Sequence, residues 1–344
     1  MLSIHNRTRV IEDCQPGSIP DNVLNSPVPL VLKGLVRHWK LVDLGRQSSE
    51  AAVDYLKSHY NGKPSQVYFG EPGLNGRYFY DKEVTRLNYE TRKAQIDEVL
   101  DLILAARQEQ HPPSYYIASN LIHTHFPALR EENDLHLPRP DPGYPVEANR
   151  VSIWIGNKTL ACAHYDASSN LACCVVGNRR FSLFPPEQIA NLYPGPLEPT
   201  PGGQAISMVD FSNPDLDRFP DFPKAVEAGQ IAELEPGDAL FLPSMWWHQV
   251  EGLNDFNILI NYWWSEAPAY TGSGMNVLYH ALLCLRDKPE HEKRAWREVL
   301  DYYVFGDADR AGRHLPEQAR GFLGELDDIK ARQLRAMLLS RLNR

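Results

Sequence analysis

The chain has 344 residues, of which 43% are hydrophobic, 23% charged and 10% aromatic. That is ordinary globular composition and excludes bulk disorder. The formal net charge of −9 gives no overall basic footprint for nucleic acid, and no run of about 18 uncharged apolar residues predicts a membrane span. The opening MLSIHNRTRVIEDC lacks the apolar segment of a secretory signal. The cysteines are Cys14, Cys162, Cys173, Cys174 and Cys284, an odd number with no C-x-x-C spacing. This predicts a reducing, cytoplasmic setting rather than a disulfide framework or a thiolate zinc cage.

Residues 27–36 (PVPLVLKGLV) read as a buried strand. Residues 48–60 and 92–108 read as helices; in the second, Ile96, Val99, Leu100 and Ile103 share one face. Between them, QVYFG and GRYFYD read as short strands around a glycine-rich turn. From about 114 the runs SYYIAS, VSIWIG, TLACAHYD, NLACCVV, RRFSLF, ALFLP and FNILINYWW follow one another, punctuated by Gly and Pro. Many short strands broken by turns predict a sandwich or barrel. Gly177-Asn178 carries a hairpin signal between two of these runs. The segment 185–232, rich in Pro, Asp and Asn, reads as a loop region with little regular structure. After 266 the pattern is helical. Pro289 is placed to open a helix at its first position, with an apolar stripe of Trp296, Val299, Leu300, Tyr303 and Val304. A last helix is expected around 316–342. The division is therefore an N-terminal helix and strand region (1–113), a β core (114–265) and a C-terminal helical unit (266–344).

Of the twelve histidines, only His164 is followed two residues later by a carboxylate, Asp166. Positions i and i+2 of a strand share a face, so the pair would point to one side of TLACAHYD. A third ligand from a distant strand would complete a two-histidine, one-carboxylate face on a metal. His248, in ALFLPSMWWHQVEG, is the candidate: it follows a Pro236-Gly237-Asp238 turn, a buried strand and a further proline. A chain of this composition holds about one H-x-D by chance, and a strand histidine bonded to its neighbour is the structural alternative. His123 and His125 (LIHTHF) have the same spacing, but no nearby Cys, Asp or third His completes a set.

The run TLACAHYDASSNLACCVVGNRRFSLFPPEQIANLYPGP, then VDFSNPDLDRFPDFP, LEPGDALFLPSMWWHQVEG and ILINYWW, resembles the Jumonji C family. The likeness is strongest to its cupin-like branch, that of the factor-inhibiting-HIF asparaginyl hydroxylases. The ordered set H-Y-D, F-P-P-E-Q, N-P-D, R-F-P, P-G-D and W-W-H is far more specific than any one motif. The resemblance implies a mainly β fold, a double-stranded β-helix (jelly-roll, cupin-like) core with flanking helices. It implies an Fe(II)- and 2-oxoglutarate-dependent dioxygenase that hydroxylates a C–H of a protein side chain or small molecule and releases succinate and CO2. Carried over residue by residue, it implies His164, Asp166 and His248 as iron ligands and Tyr116 as a hydroxyl donor to the far carboxylate of 2-oxoglutarate. It further implies Arg179 as the basic anchor and Asn170 and Asn261 on the co-substrate face. Two positions depart from the pattern: Arg179 stands where close relatives have lysine, and Ala161 where they have a threonine hydroxyl. Arg180 is the alternative anchor, with the opposite parity on its strand.

On this reading Trp246, Trp247, Trp263 and Trp264 would wall the metal region, core packing being the alternative for some of them. Cys162 and Cys174 have parities that would place them near the metal without a catalytic role. The expected partners are 2-oxoglutarate, O2, an unidentified substrate and a second copy bound through the C-terminal helices, with no nucleic acid and no membrane. Two other functions fit the same ligand set: a cupin-type metalloenzyme that does not use 2-oxoglutarate, and a non-catalytic metal-binding protein. The first would not require Tyr116 or Arg179; the intact ligands argue against the second without showing turnover.

Overall fold

The computed structural model describes residues 2–20, 22–137, 150–265 and 267–343. In chain order its elements are β1 (Asn6–Arg7), β2 (Arg9–Ile11), β3 (Leu30–Leu32), α1 (Lys40–Gln47), α2 (Ser49–His59), β4 (Ser65–Gly70), β5 (Arg77–Tyr78), β6 (Glu90–Ala94), α3 (Ile96–Ala106), β7 (Ser114–Leu121) and α4 (Ile122–His125). There follow β8 (Arg150–Gly156), β9 (Leu160–Tyr165), β10 (Ser169–Val176), β11 (Arg179–Phe184), α5 (Phe222–Ala228), β12 (Gln230–Leu234), β13 (Ala239–Leu242), β14 (Trp247–Gly252) and β15 (Asn257–Trp264). The helices α6 (Gly274–Leu285), α7 (Glu290–Leu300) and α8 (Asp328–Leu342) close the order. Residues up to 265 and those from 266 onward form two separate compact units.

The first unit is built on two sheets. One has the order β1-β12-β11-β14-β9-β5, the other β2-β3-β13-β10-β15-β8-β7-β4-β6. From β8 to β11 each connection passes from one sheet to the other, as do β12 to β13, β13 to β14 and β14 to β15. This winding is a double-stranded β-helix, or jelly roll. Strict alternation gives each strand two apolar faces. On β10, Ala172 and Cys174 point between the sheets, while Leu171, Cys173 and Val175 point outward to the helices. The interior is closed by Phe181, Leu183, Ala232 and Leu234 from the smaller sheet against Leu240, Leu242 and Leu259 from the larger. The outer face of the larger sheet is covered by α1, α2 and α3 through residues such as Leu41, Leu56, Ile96 and Leu100.

Several expectations are corrected. Gly177-Asn178 does not close a hairpin: β10 pairs with β13 and β15, and β11 with β12 and β14. The turn carries the chain from one sheet to the other, with Gly177 at φ +71. A Cβ there would come within 2.7 Å of the Phe256 carbonyl oxygen, so glycine is needed for the crossing itself. The strand within 27–36 is only Leu30–Leu32, because Gly34 turns the chain at φ +69. The helix within 92–108 begins at Ile96, and the residues before it form β6 against β4. Segment 185–232 contains the 3-10 turns of 186–192, α5 and the first residues of β12. Pro223 and the brevity of α5 hide its periodicity.

In the second unit α7 starts at Glu290, with Pro289 one position earlier than expected, at its N-cap. The apolar stripe continues into a π turn over Asp301–Phe305. The helix expected around 316–342 is confined to Asp328–Leu342, capped by the Asp327 carboxylate on the Ile329 and Lys330 amides. The residues before it form two 3-10 turns interrupted by Gly321 and Gly324. The sequence reading did not single out α6 by range; it is capped by the Ser273 hydroxyl. Among the described residues, no helix is long and apolar enough to cross a membrane.

Candidate metal and co-substrate site

His164 lies near the end of β9 and His248 near the start of β14, and these neighbouring antiparallel strands set the two residues directly opposite one another. Their ring centroids are 4.4 Å apart. Asp166 follows the last residue of β9, and its backbone carbonyl accepts from Met245 N at 2.8 Å, tying the turn before β14 to the end of β9. Its carboxylate stands 3.7 Å from His248 Nε2. One ligand atom from each of His164, Asp166 and His248 lies within 4.8 Å of the others. Among the described residues this is the one cluster of three or more such groups. His123 and His125 lie on α4 and gather no third ligand there; His125 Nδ1 instead meets the Lys63 carbonyl.

Backbone hydrogen bonds settle the tautomers of both imidazoles. His164 Nδ1 donates to the Cys162 carbonyl at 2.8 Å, and His248 Nδ1 to the Trp246 carbonyl at 3.0 Å. A carbonyl only accepts, so Nδ1 carries the proton in the neutral form of each ring and leaves the Nε2 lone pair for a metal, the arrangement of metal-ligating histidine. Burial, helped by neighbouring His164 and opposed by Asp166, pushes the His248 pKa down to about 4. The ring therefore stays neutral and able to ligate well below neutral pH.

A β-bulge shapes the floor beside the ligands. His164 pairs with His248 but Ala161 pairs with Val250, so Cys162 and Ala163 together oppose Gln249. This extra residue lets Ala161 and His164 face the same interior despite their odd spacing. It turns Cys162 aside, to pack with Tyr80 and Ile206. Cys174 does face the interior, where its thiol donates to the Gly177 carbonyl at 3.0 Å. Burial pushes Cys162 up to about 11 and Cys174 up to about 12, so neither offers a thiolate at neutral pH.

The interior continues to Arg179, the first residue of β11 and only 2% exposed. Its Nε and Nη2 atoms are buried without a hydrogen-bond partner among the described residues. Its charge is felt by Tyr116, whose hydroxyl is nonetheless pushed up to about 12 by burial. The Tyr116 ring stacks on Tyr78 at 5.5 Å and leans on Trp154 at 5.9 Å. Space for it comes from Gly156, where a Cβ would lie 3.1 Å from the ring. Asn261 and Asn170 are buried and joined, Asn261 Nδ2 donating to Asn170 Oδ1 at 3.2 Å, while Trp154 Nε1 donates to Asn261 Oδ1 at 2.7 Å. Arg180 lies on the other face of β11, forked onto Glu233 at 3.2 and 3.1 Å in exposed surroundings.

Of the four expected tryptophans, Trp263 meets Trp154 of the neighbouring strand β8 edge-on, on the interior face of the larger sheet, at 5.7 Å. Trp246 packs with the interior cluster, and its indole N–H donates to the Pro27 carbonyl. Trp247 and Trp264 turn outward into other clusters. Trp154, absent from the sequence-based set, is the ring that links Tyr116 to Asn261. Its only sequence signal is its place in the alternation of VSIWIG.

These residues fit a metal ion with an anionic co-ligand. A buried guanidinium without a partner is strongly disfavoured, and its Nε/Nη2 edge is the one that receives a carboxylate side-on. The model for the cupin-like domain family matches residues 16–270, most of the chain. The chain belongs to the cupin-like, Jumonji C-type oxygenase family. It is 34% identical to HSPB1-associated protein 1 of Rattus norvegicus over 161 residues, 45% of this chain and 33% of that protein. To tRNA wybutosine-synthesizing protein 5 of Mus musculus it is 28% identical over 256 residues, 70% of this chain and 72% of that protein. To Lysine-specific demethylase 8 of Xenopus tropicalis it is 25% identical over 250 residues, 71% of this chain and 50% of that protein. The match therefore spans about a third of the length of the HSPB1-associated relative.

The depressed His248 pKa gives a signed prediction. The folded state resists protonating this ring, so the unfolded chain binds the extra proton between pH 6.5 and about 4. In the presence of a chelator, urea unfolding should show stability falling as pH drops through that window. His248→Asn should flatten this loss; an unchanged slope would show that the ring is not held neutral by burial.

Proposed function

We propose that the protein is an Fe(II)- and 2-oxoglutarate-dependent oxygenase that hydroxylates a C–H bond of a protein side chain or small molecule. The observation that carries this reading is the buried, unpartnered edge of Arg179 on the same interior face of the smaller sheet as His248. His164, Asp166 and His248 would hold the iron on one side only, leaving positions for other ligands. When bound, iron(II) and 2-oxoglutarate supply the oxidising chemistry: the keto acid goes to succinate and CO2, one oxygen atom of O2 entering each of succinate and substrate.

The chain's own groups bind, orient and exclude water. Arg179 would take the far carboxylate of 2-oxoglutarate on Nε and Nη2, and the Tyr116 hydroxyl would donate to the same carboxylate. The Asn170–Asn261 pair, held by Trp154, would give that pocket a fixed polar wall, and Trp154 and Trp263 would limit solvent at the reacting end. A cupin-type enzyme that does not use 2-oxoglutarate, or a metal-binding protein without turnover, has no use for this guanidinium. Demethylation, suggested by the name of the Xenopus relative, would use the same C–H step on an N-methyl group; the net charge of −9 argues against chromatin or RNA as the substrate surface. The cytoplasmic setting rests on the unpaired thiols.

Arg179→Met should weaken 2-oxoglutarate binding about 100-fold, about 2.8 kcal/mol, and Tyr116→Phe about tenfold. The readout is titration of the visible charge-transfer band of the anaerobic Fe(II) protein. Iron affinity should be unchanged in both variants. Full 2-oxoglutarate affinity in Arg179→Met would remove the anchor assignment.

We also propose a homodimer formed through the C-terminal unit. Its helices leave Val277, Leu283, Val304, Phe305, Ile329 and Leu339 each at least 59% exposed, an apolar surface larger than isolated side chains require. Light scattering should give a dimer, and Leu283→Glu with Phe305→Glu a monomer; a wild-type monomer would contradict this.

A further inference from the structure

The outer face of the smaller sheet, away from the metal ligands, carries a second cavity of about 350 Å³. Its floor is two rows of side chains set by strand register. In one row Gln249, Ser182 and Ile231 lie side by side on β14, β11 and β12; in the other, Glu251, Arg180 and Glu233. Ser182 and Gln249 are each 5% exposed, yet the Ser182 hydroxyl has no hydrogen-bond partner among the described residues. Among the described residues Gln249 makes one long side-chain contact, its amide on Glu251 at 3.4 Å, and its side-chain carbonyl makes none. Both side chains line the cavity, and polar groups converging on a concave wall are the mark of a ligand site.

The charges in the second row are unevenly shared. Glu233 is paired twice, by Arg7 Nη1 at 3.1 Å and Arg180 Nη2 at 3.1 Å. Among the described residues that end holds two cations for one anion. Glu251, beside Arg180 on the next strand, forms no ion pair among the described residues. The cavity is therefore positive at one end and negative at the other, with unsatisfied neutral groups between. The rest of its lining is mostly apolar and includes Leu2, Ile4, Phe211, Phe222 and Val226, which belong to one packed cluster.

We propose that this cavity binds a zwitterionic α-amino acid with an apolar side chain. Its ammonium group would sit on Glu251 with the Gln249 carbonyl and Ser182 hydroxyl, and its carboxylate on the guanidinium groups of Arg180 and Arg7. The side chain would enter the apolar wall at Phe211 and Phe222. A cation alone would leave the guanidinium end unmatched, and an anion alone would leave Glu251 unmatched.

The test is calorimetric titration of the full chain with L-phenylalanine, 3-phenylpropionate and phenethylamine. L-phenylalanine should bind most tightly, each singly charged probe about tenfold more weakly. Glu251→Gln should weaken L-phenylalanine about tenfold, and Ser182→Val, which fills the floor, should abolish binding. Both variants are checked for wild-type thermal melting. Arg179→Met should leave this binding unchanged. The proposal is overturned if L-phenylalanine gives no binding heat, if 3-phenylpropionate binds as well, if correctly folded Glu251→Gln binds as wild type, or if Arg179→Met removes the binding and so moves it to the inner site.

Discussion

The structure depends on the pairing of β9 with β14. Antiparallel register puts His248 opposite His164, and the bulge at Cys162 and Ala163 resets the alternation so that Ala161 still faces the same interior. Without that extra residue, either the upper part of β9 or its ligand-bearing end would face the wrong side of the sheet. The backbone carbonyls of Cys162 and Trp246 complete the arrangement, because they fix which nitrogen of each ring is free. A metal site here is a property of strand geometry before it is a property of three side chains.

The second constraint is electrostatic. Among the described residues, Arg179 is buried with its Nε and Nη2 atoms unmet, a state that a carboxylate brought to that edge would relieve. Arginine in place of lysine changes the demand on the ligand: a planar fork asks for a carboxylate edge, where an ammonium group would accept a range of approaches. Ala161 offers no side-chain hydroxyl on the same wall, so in the proposed reading the anchor would rely on the fork and on Tyr116. The Tyr116 ring stacks on Tyr78 and packs against Trp154, which positions its side chain.

Much of this was legible because period-two alternation is a strong signal. The parity of Arg179 against Arg180 separates a buried cation from one paired with Glu233 on the surface. The i, i+2 spacing of His164 and Asp166 brought them together with His248, although Asp166 lies just past the strand and is held by the Met245 amide. What was not legible is long-range. Gly177-Asn178 has hairpin chemistry, yet the partners of β10 and β11 lie in different sheets, and turn residues do not record partner choice. The bulge in β9 leaves no local mark, so Cys162 reads by parity as an interior residue when it is turned aside. α5 and β12 are too short, and α5 too marked by Pro223, to show a period. Trp154 is chosen by its contacts with Asn261 and Tyr116, which lie on other strands.

The most direct measurement is a crystal structure of the protein with Mn(II) and 2-oxoglutarate under anaerobic conditions. The account predicts one metal ion bound by His164 Nε2, His248 Nε2 and the Asp166 carboxylate, with the far carboxylate of 2-oxoglutarate lying along the Nε/Nη2 edge of Arg179. A metal held by other residues, or a co-substrate whose far carboxylate leaves that edge unpaired, would contradict it.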